Sequence, residues 1–390
     1  MPSERAILCL NSGSSSLKFA LYRMGEGEEL VLEGAVERIG LPGGRFWARR
    51  AAGDVVFDEH RDFAATRDAV KAVFQKDGPT VATPDAVGHR VVHGGPDHVK
   101  PERVTRELLE SLQTLIGFAP LHLPSEIQVM RFIGQVEPDV PQVACFDTAF
   151  HRGMPDVAQR FSIPRRFWHH GLRRYGFHGL SYEYIISTLG AEADGRIIIG
   201  HLGNGASLAA LRGRRPLDTT MGLTPSGGMM MGTRSGDLDP GVLLYLLGEK
   251  KYTLSQLDHL VNEESGLLGV SAITSDMKSL TEEAASDGQA RQAVEMFCYI
   301  ARKHIGAMTA VLDGLDLLVF TGGIGEHSAL VRQQICAGLG YLGIELEEER
   351  NNSHAPVISK EDSRCSVRVI PTNEDLMIAR HTRHVVFGPE

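Results

Sequence analysis

Leu10-Asn11-Ser12-Gly13-Ser14-Ser15-Ser16-Leu17-Lys18-Phe19-Ala20-Leu21 returns in outline as His201-Leu202-Gly203-Asn204-Gly205-Ala206-Ser207-Leu208-Ala209-Ala210-Leu211. Each stretch runs from apolar residues through a turn of small residues holding Asn and Gly into a second β-type run. Residues 6–10 and 17–22 therefore predict one hairpin, and residues 196–202 and 208–211 predict another. Two such units far apart in one chain point to an internal duplication. Few identities are shared, and two unrelated tight turns would leave the same trace.

Outward from these hairpins, apolar spacing of helical type covers residues 107–118, 125–136, 181–189 and 290–312, with stops at Pro138, Gly190 and Gly314. Residues 316–320 are apolar, 321–326 are rich in glycine, and 328–339 resume helical spacing. Strand, glycine turn and helix in that order suit a nucleotide. Short strands alternating with helices predict an α/β fold, and 390 residues predict two domains. No low-complexity linker marks the joint, so the spacing of the hairpins puts it near residue 150: 1–150 form an α/β domain and 151–374 a second one.

The composition is that of a globular chain, 42% hydrophobic and 23% charged, with apolar material for more than one core. A net charge of -9 without any Lys/Arg block speaks against nucleic acid or an anionic membrane as partner. Any anion must be held locally. Cys9, Cys145, Cys298, Cys336 and Cys365 are odd in number, scattered and without a C-x-x-C pair, which fits a reducing cytoplasm better than a disulfide or zinc scaffold. No apolar run approaches the ~20 residues of a spanning helix, and the first residues lack a secretory pattern. The expectation is a cytoplasmic protein.

Three turns suit phosphate or nucleoside. Asn11 to Lys18 supplies clustered hydroxyls, backbone N–H groups and one cation; His201 to Ser207 supplies two glycines that allow close approach of a phosphate; Thr321 to Glu326 can pack a nucleoside against bare backbone. Each alone also fits an ordinary turn. The last fails G-x-G-x-x-G, because Ser328 stands where the third glycine belongs, and neither a G-x-x-x-x-G-K-S/T loop nor D-F-G or H-R-D is present. Gly88-His89-Arg90-Val91-Val92-His93-Gly94-Gly95 and Met231-Gly232-Thr233-Arg234-Ser235-Gly236-Asp237 each offer a guanidinium, the side chain best shaped to grip a carboxylate or phosphoryl group. A surface salt bridge is the commoner use of an arginine. Asp147 ends an apolar run and His178 stands between glycines before a helix, positions that equally suit capping or core hydrogen bonding. Glu374 and Asp375 open a C-terminal helix, where capping competes with a magnesium site.

The strings NSGSSSLKF, GHRVVHGG, FDTAFH, YGFHG, HLGNGAS, DTTMGLTP, MMMGTRSGDLDPG, GGIGE and TNED, in this order over nearly the whole chain, resemble the acetate kinase family. That family belongs with sugar kinases, heat-shock ATPase domains and actin, whose fold is a duplicated ribonuclease H-like α/β domain with ATP and substrate in the interdomain cleft. The resemblance implies transfer of the γ-phosphoryl group of ATP to acetate, giving ADP and acetyl phosphate, reversibly and with Mg²⁺, for which Mn²⁺ can substitute. It implies a homodimer formed through the second domain, and a first domain completed by the C-terminal helix at about 375–390.

Carried onto this sequence, the resemblance puts Asn11 and Lys18 near the phosphoryl groups, with Ser14 and Ser16 assisting. His201, Gly203, Asn204 and Gly205 contact the ATP phosphates, and Gly323, Ile324 and Gly325 with Asp276, Met277 and Lys278 line the adenosine pocket. Asn11 and Glu374 serve Mg²⁺. Arg90 and Arg234 clamp acetate and the transferring group, His178 hydrogen-bonds the transition state, Asp147 orients substrate or metal, and His122 sits near the active site. Val92, Leu121, Phe177 and Pro225 surround the acetate methyl. A carboxylate is already a competent nucleophile, so a set rich in cations without a proton-abstracting pair fits direct in-line transfer.

Three departures from the family pattern stand out: Leu123-Pro124 in place of Asn-Pro, Ser226-Gly227-Gly228 in place of Leu-Glu-Gly, and His327 in place of Asn. Two flank the expected acid pocket, which keeps propionate open as a substrate, because one methylene is worth only about 1 to 3 kcal/mol of discrimination. A non-kinase ATPase switch on the same fold would need no acid pocket. A sugar kinase would need a carboxylate base, which Asp147 can supply, but the paired arginines favour an anionic acceptor.

Overall fold

The computed structural model describes residues 4–13, 15–74 and 84–388. The chain divides into two compact units. The first comprises Met1–Phe150, Gly179–Tyr184 and Asn373–Glu390; the second comprises His151–His178 and Ile185–Thr372.

The first unit is built on β1 (Arg5–Ser12), β2 (Ser16–Met24), β3 (Glu28–Glu37), β4 (Arg45–Arg50), β5 (Val55–His60), β6 (Ala86–Val91), β7 (Glu102–Arg103) and β8 (Gln142–Phe146), in the sheet order β5-β4-β3-β2-β1-β6-β8-β7. β1 and β2 form the expected antiparallel hairpin, in a register that sets Asn11 opposite Lys18. Successive side chains of a strand point to opposite faces, and here both faces are apolar. Leu8, Leu10, Leu17 and Phe19 join one core with Val70, Val73, Val129 and Ile133, from the helices Thr66–Phe74 and Leu123–Val136. Ile7, Cys9, Ala20 and Tyr22 join another with Met377, Ile378 and Ala379 of the helix Glu374–Phe387. Each such aliphatic side chain contributes roughly 1.5 to 3 kcal/mol by burial. Gly88 lets that last helix lie close on β6, since a Cβ there would stand 2.3 Å from Thr382 Oγ1 and 2.5 Å from Ile378 Cγ2.

The second unit carries β9 (Arg196–Leu202), β10 (Ala206–Arg212), β11 (Arg215–Thr219), β12 (Leu317–Thr321) and β13 (Ser366–Val369), ordered β11-β10-β9-β12-β13. β9, β10 and β11 are antiparallel neighbours, and β12 and β13 add in parallel on the other side of β9. The run β3-β2-β1-β6-β8 of the first unit repeats this pattern, three antiparallel strands followed by two parallel additions. The hairpin likeness in the sequence is thus the trace of a duplicated α/β fold. A 25-residue helix, Gly288–Leu312, is capped by Asp287, whose side chain accepts from Gln289 and Ala290 N–H, and buries Val294, Phe297, Ile305 and Met308.

Several local expectations change. Residues 321–326 are not a bare turn: a helix, Gly322–His327, starts on Gly322 at φ +77°, a conformation glycine adopts without steric cost. The following helix is Ala329–Cys336, with Ser328 as its N-cap, so the span 328–339 is too long. The helix expected at 107–118 stops at Thr114, and residues 116–118 form a separate 3-10 turn. Among the described residues no helix is long and apolar enough to cross a membrane.

Candidate active site

In the first unit, β6 delivers Arg90 and the end of β8 delivers Asp147. Arg90 donates from Nε (2.9 Å) and Nη2 (2.6 Å) to Asp147 Oδ2, and from Nη1 to Asn11 Oδ1 at 3.4 Å; Glu374 lies 3.8 Å away. The Asp147 side chain is 1% exposed and that of Arg90 19%. Burial works against the Arg90 charge, but Asp147 and then Glu374 outweigh it and hold the guanidinium above its ordinary range. The backbone N–H of Asp147 also donates to Val91 O (3.0 Å), which ties the two strand ends together. Glu374 opens its helix because Asn373 is the N-cap, accepting from Leu376 N–H and from the Tyr22 hydroxyl.

Val92, 6% exposed, follows Arg90, and its N–H donates to both oxygens of Glu126 at 3.3 and 3.2 Å. Glu126 lies 3% exposed on the helix Leu123–Val136. Burial pushes its carboxyl up to about 8, against the Val92 hydrogen bond and the Arg90 charge, which pull it down. Leu121 and His122 stand just before that helix. Lys18 is exposed and Ser16 begins β2; Ser14 lies outside the described residues.

Asn11 and Glu374 offer only hard oxygen donors, beside a guanidinium that already neutralises Asp147. Among the described residues no group of three or more His, Cys, Asp or Glu is placed to hold a metal. Such a donor set fits Mg²⁺ held by one carboxylate, waters and phosphate oxygens, and does not fit a metal caged by protein alone.

In the second unit, His178 takes the left-handed conformation (φ +59°, ψ +27°), which a histidine adopts more readily than most side chains, at a cost of roughly 1 to 3 kcal/mol. Its Nδ1 lies 2.8 Å from Ser207 Oγ and its ring stacks on His201, centroids 4.2 Å apart. A Cβ on Gly205 would stand 3.3 Å from Arg234 Nη2 and 3.4 Å from His178 Nε2, so both cation-capable groups face this glycine of the β9–β10 turn. Arg234 Nη1 donates to Pro225 O at 2.7 Å. Its loop packs on the same turn: Gly232 N–H donates to Asn204 O at 3.0 Å, and a Cβ on Gly232 would stand 2.0 Å from Asn204 Oδ1. Phe177 is buried, and its carbonyl lies 3.0 Å from Nε2 of His151, whose pKa burial lowers to about 4.

A cavity of about 620 Å³ in the second unit brings together Gly203 and Asn204, the segment Asp276, Met277 and Lys278, and Gly323 and Ile324. His201, Gly205 and Gly325 do not line it. Thr281, His327 and Ser328 do; His327 is the residue that ends the expected adenosine turn, and Thr281 and Ser328 carried no such expectation. Asp276 caps the helix Met277–Glu283, accepting from Ser279 N–H (2.9 Å) and Oγ (2.7 Å), bonds that lower its pKa. Glu126 carried no expected role, and Ser207 was read only as part of a turn. A Glu in a helical pattern and a Ser in a strand carry no signal of burial, and only their neighbours in space supply one.

The profile of the acetokinase family matches residues 6–380. The chain belongs to the acetokinase family. It is 44% identical to the acetate kinase of Rhodopseudomonas palustris over 395 residues, covering 98% of both chains, and 45% identical to that of Methylocella silvestris over 396 residues, covering 97% of both. The acetate kinase of Porphyromonas gingivalis superposes with a TM-score of 0.88 at 36% identity, and a propionate kinase of Francisella tularensis with 0.92 at 34%; each covers 98% of this chain and all of its own. The chain is accordingly a phosphotransferase of the carboxyl-acceptor class, on the duplicated actin and sugar kinase-like fold.

Proposed function

We propose that this member of the acetokinase family moves the γ-phosphoryl group of ATP to acetate and back, by direct in-line transfer without a phosphoenzyme. The observation that carries the reading is the second unit's cavity, which joins a phosphate-type turn to two further segments, beside a His and an Arg that face the same turn. Each unit supplies residues suited to the reaction. In the first, Arg90, held by Asp147, offers its remaining N–H groups to a carboxylate, and Val92, Leu121 and His122 serve the acid. In the second, Arg234 and His178 serve the transferring phosphoryl group, Phe177 and Pro225 the methyl, and the cavity residues the adenosine. Phosphoryl transfer needs positioning and neutralisation of charge on the equatorial oxygens, which guanidinium and imidazole N–H groups provide. Bound at Asn11 and Glu374, with Lys18, Ser14 and Ser16 on the phosphates, Mg²⁺ would offset phosphate charge; Mn²⁺ shares its preference for oxygen.

Hydroxamate-trapped acyl phosphate formation from MgATP with formate, acetate, propionate and butyrate tests the reading. The highest kcat/KM is expected with acetate; absence of acyl phosphate from every acid would overturn it. The likeness to a propionate kinase and the departures at Leu123 and Ser226 to Gly228 favour propionate as the second acid.

We also infer a cytoplasmic homodimer formed through the second unit. The helix Pro240–Gly248 buries none of its residues and exposes Val242, Leu244, Tyr245 and Leu247. Contiguous apolar surface of this kind suits a second copy. Sedimentation should give a dimer that Leu244→Glu dissociates; a monomeric wild type would refute it.

A further inference from the structure

His201 and Ser207 are cross-strand partners on β9 and β10, so their side chains stand next to each other on one face of the sheet. The His178 ring lies on this pair, stacked on His201 and 2.8 Å from Ser207 Oγ through Nδ1. Ser207 is completely buried and His178 9% exposed. The contact therefore leaves Nε2 on the side of Gly205 and Arg234, where the phosphate-type turn passes.

We propose that Ser207 is a positioning residue that donates its hydroxyl proton to His178 Nδ1 and so keeps the neutral imidazole as its Nε2–H tautomer. The inference rests on the reading of His178 as a donor to the transferring phosphoryl group. Phosphoryl oxygens are acceptors only, so the ring serves them only with a proton on Nε2. A neutral imidazole carries one proton, and whichever nitrogen accepts a hydrogen bond is the one without it. With Ser207 as donor, Nε2 carries its proton without the ring being charged, and stacking on His201 fixes the plane in which that N–H points.

The tautomer is read directly by two-bond ¹H–¹⁵N correlation of histidine-labelled protein at pH 8, with the His178 signals assigned by their loss in His178→Gln. The wild type should show the Nε2–H pattern and Ser207→Ala a mixture; an Nδ1–H ring in the wild type overturns the proposal. In the acyl phosphate assay Ser207→Ala should lower kcat about tenfold, the worth of one neutral hydrogen bond, with both KM values changed less than about threefold. In a His178→Ala background the same substitution should have no further effect. Full activity of Ser207→Ala beside an impaired His178→Ala would remove this inference alone. Full activity of His178→Ala would remove the reading beneath it.

Discussion

Arg90 leaves the end of β6 and meets a carboxylate that is 1% exposed, whereas Arg234 leaves a loop of Met and Gly residues and meets the carbonyl of Pro225. The same side chain pairs with a full opposite charge in one unit and, in the other, has a backbone carbonyl among its contacts. A buried ion pair fixes geometry, but each partner then depends on the other to remain buried. A carbonyl contact orients the guanidinium without cancelling its charge. Arg90 is thus tied into the stability of its unit through a buried carboxylate, while Arg234 is oriented through a backbone carbonyl.

The largest effect that can break this comparison is expected from Arg90→Ala. It removes the guanidinium that pairs with the buried Asp147 carboxylate, so denaturant unfolding should show a loss of about 3 to 5 kcal/mol, together with a fall in kcat/KM of about a thousandfold. Arg234→Ala should lower kcat by about 10² to 10³ while costing no more than about 1 kcal/mol of stability. Equal destabilisation by the two substitutions would abolish the distinction.

Gly232→Ala sharpens the second half. Its Cβ would stand 2.0 Å from Asn204 Oδ1, so the turn has to shift. KM for ATP should rise on the order of tenfold and KM for acetate much less, since such overpacking costs about 1 to 3 kcal/mol locally; unchanged nucleotide kinetics would mean that the loop does not hold the turn.

The smallest effect belongs to Glu126, behind the strand that carries Arg90. Its carboxyl goes from an ordinary 4.5 up to about 8 in the folded chain through burial. The folded state therefore holds this proton more tightly than the unfolded state, and stability falls as pH rises from about 4.5 to about 8. Glu126→Gln keeps an acceptor for Val92 N–H and has no proton to lose. It should be more stable than the wild type at pH 9 by on the order of 1 to 2 kcal/mol, with the difference shrinking toward pH 5 in parallel thermal melts; a gap that is constant with pH would show that Glu126 stays ionised.

The hairpin pattern at residues 6–22 and 196–211 was readable because strand alternation and turn chemistry are local. So were the helices ending at Val136, Leu189 and Leu312. β3, β4 and β5 escaped notice, since they mix charged and apolar residues at the outer side of their sheet. The glycines of residues 322–325 suggested a bare turn, and a short helix formed there because Gly322 can take the positive φ that starts it and Glu326 Oε1 accepts its N–H at 2.8 Å. The roles of Asp147 and His178 came from resemblance, since a single Asp or His in a sequence fits several uses.

By itself, the sequence determined the family, through the resemblance carried by its ordered motifs, and marked the duplicated α/β fold through its repeated hairpins, because strand alternation and turn chemistry are local. Only the tertiary structure decided that Arg90 is locked to Asp147, that Glu126 is a buried carboxyl behind Val92, and that Ser207 and His201 both meet the His178 ring. Burial and hydrogen-bond partnership belong to pairs of residues 57, 34 and 29 positions apart, and no local pattern records what the fold sets side by side.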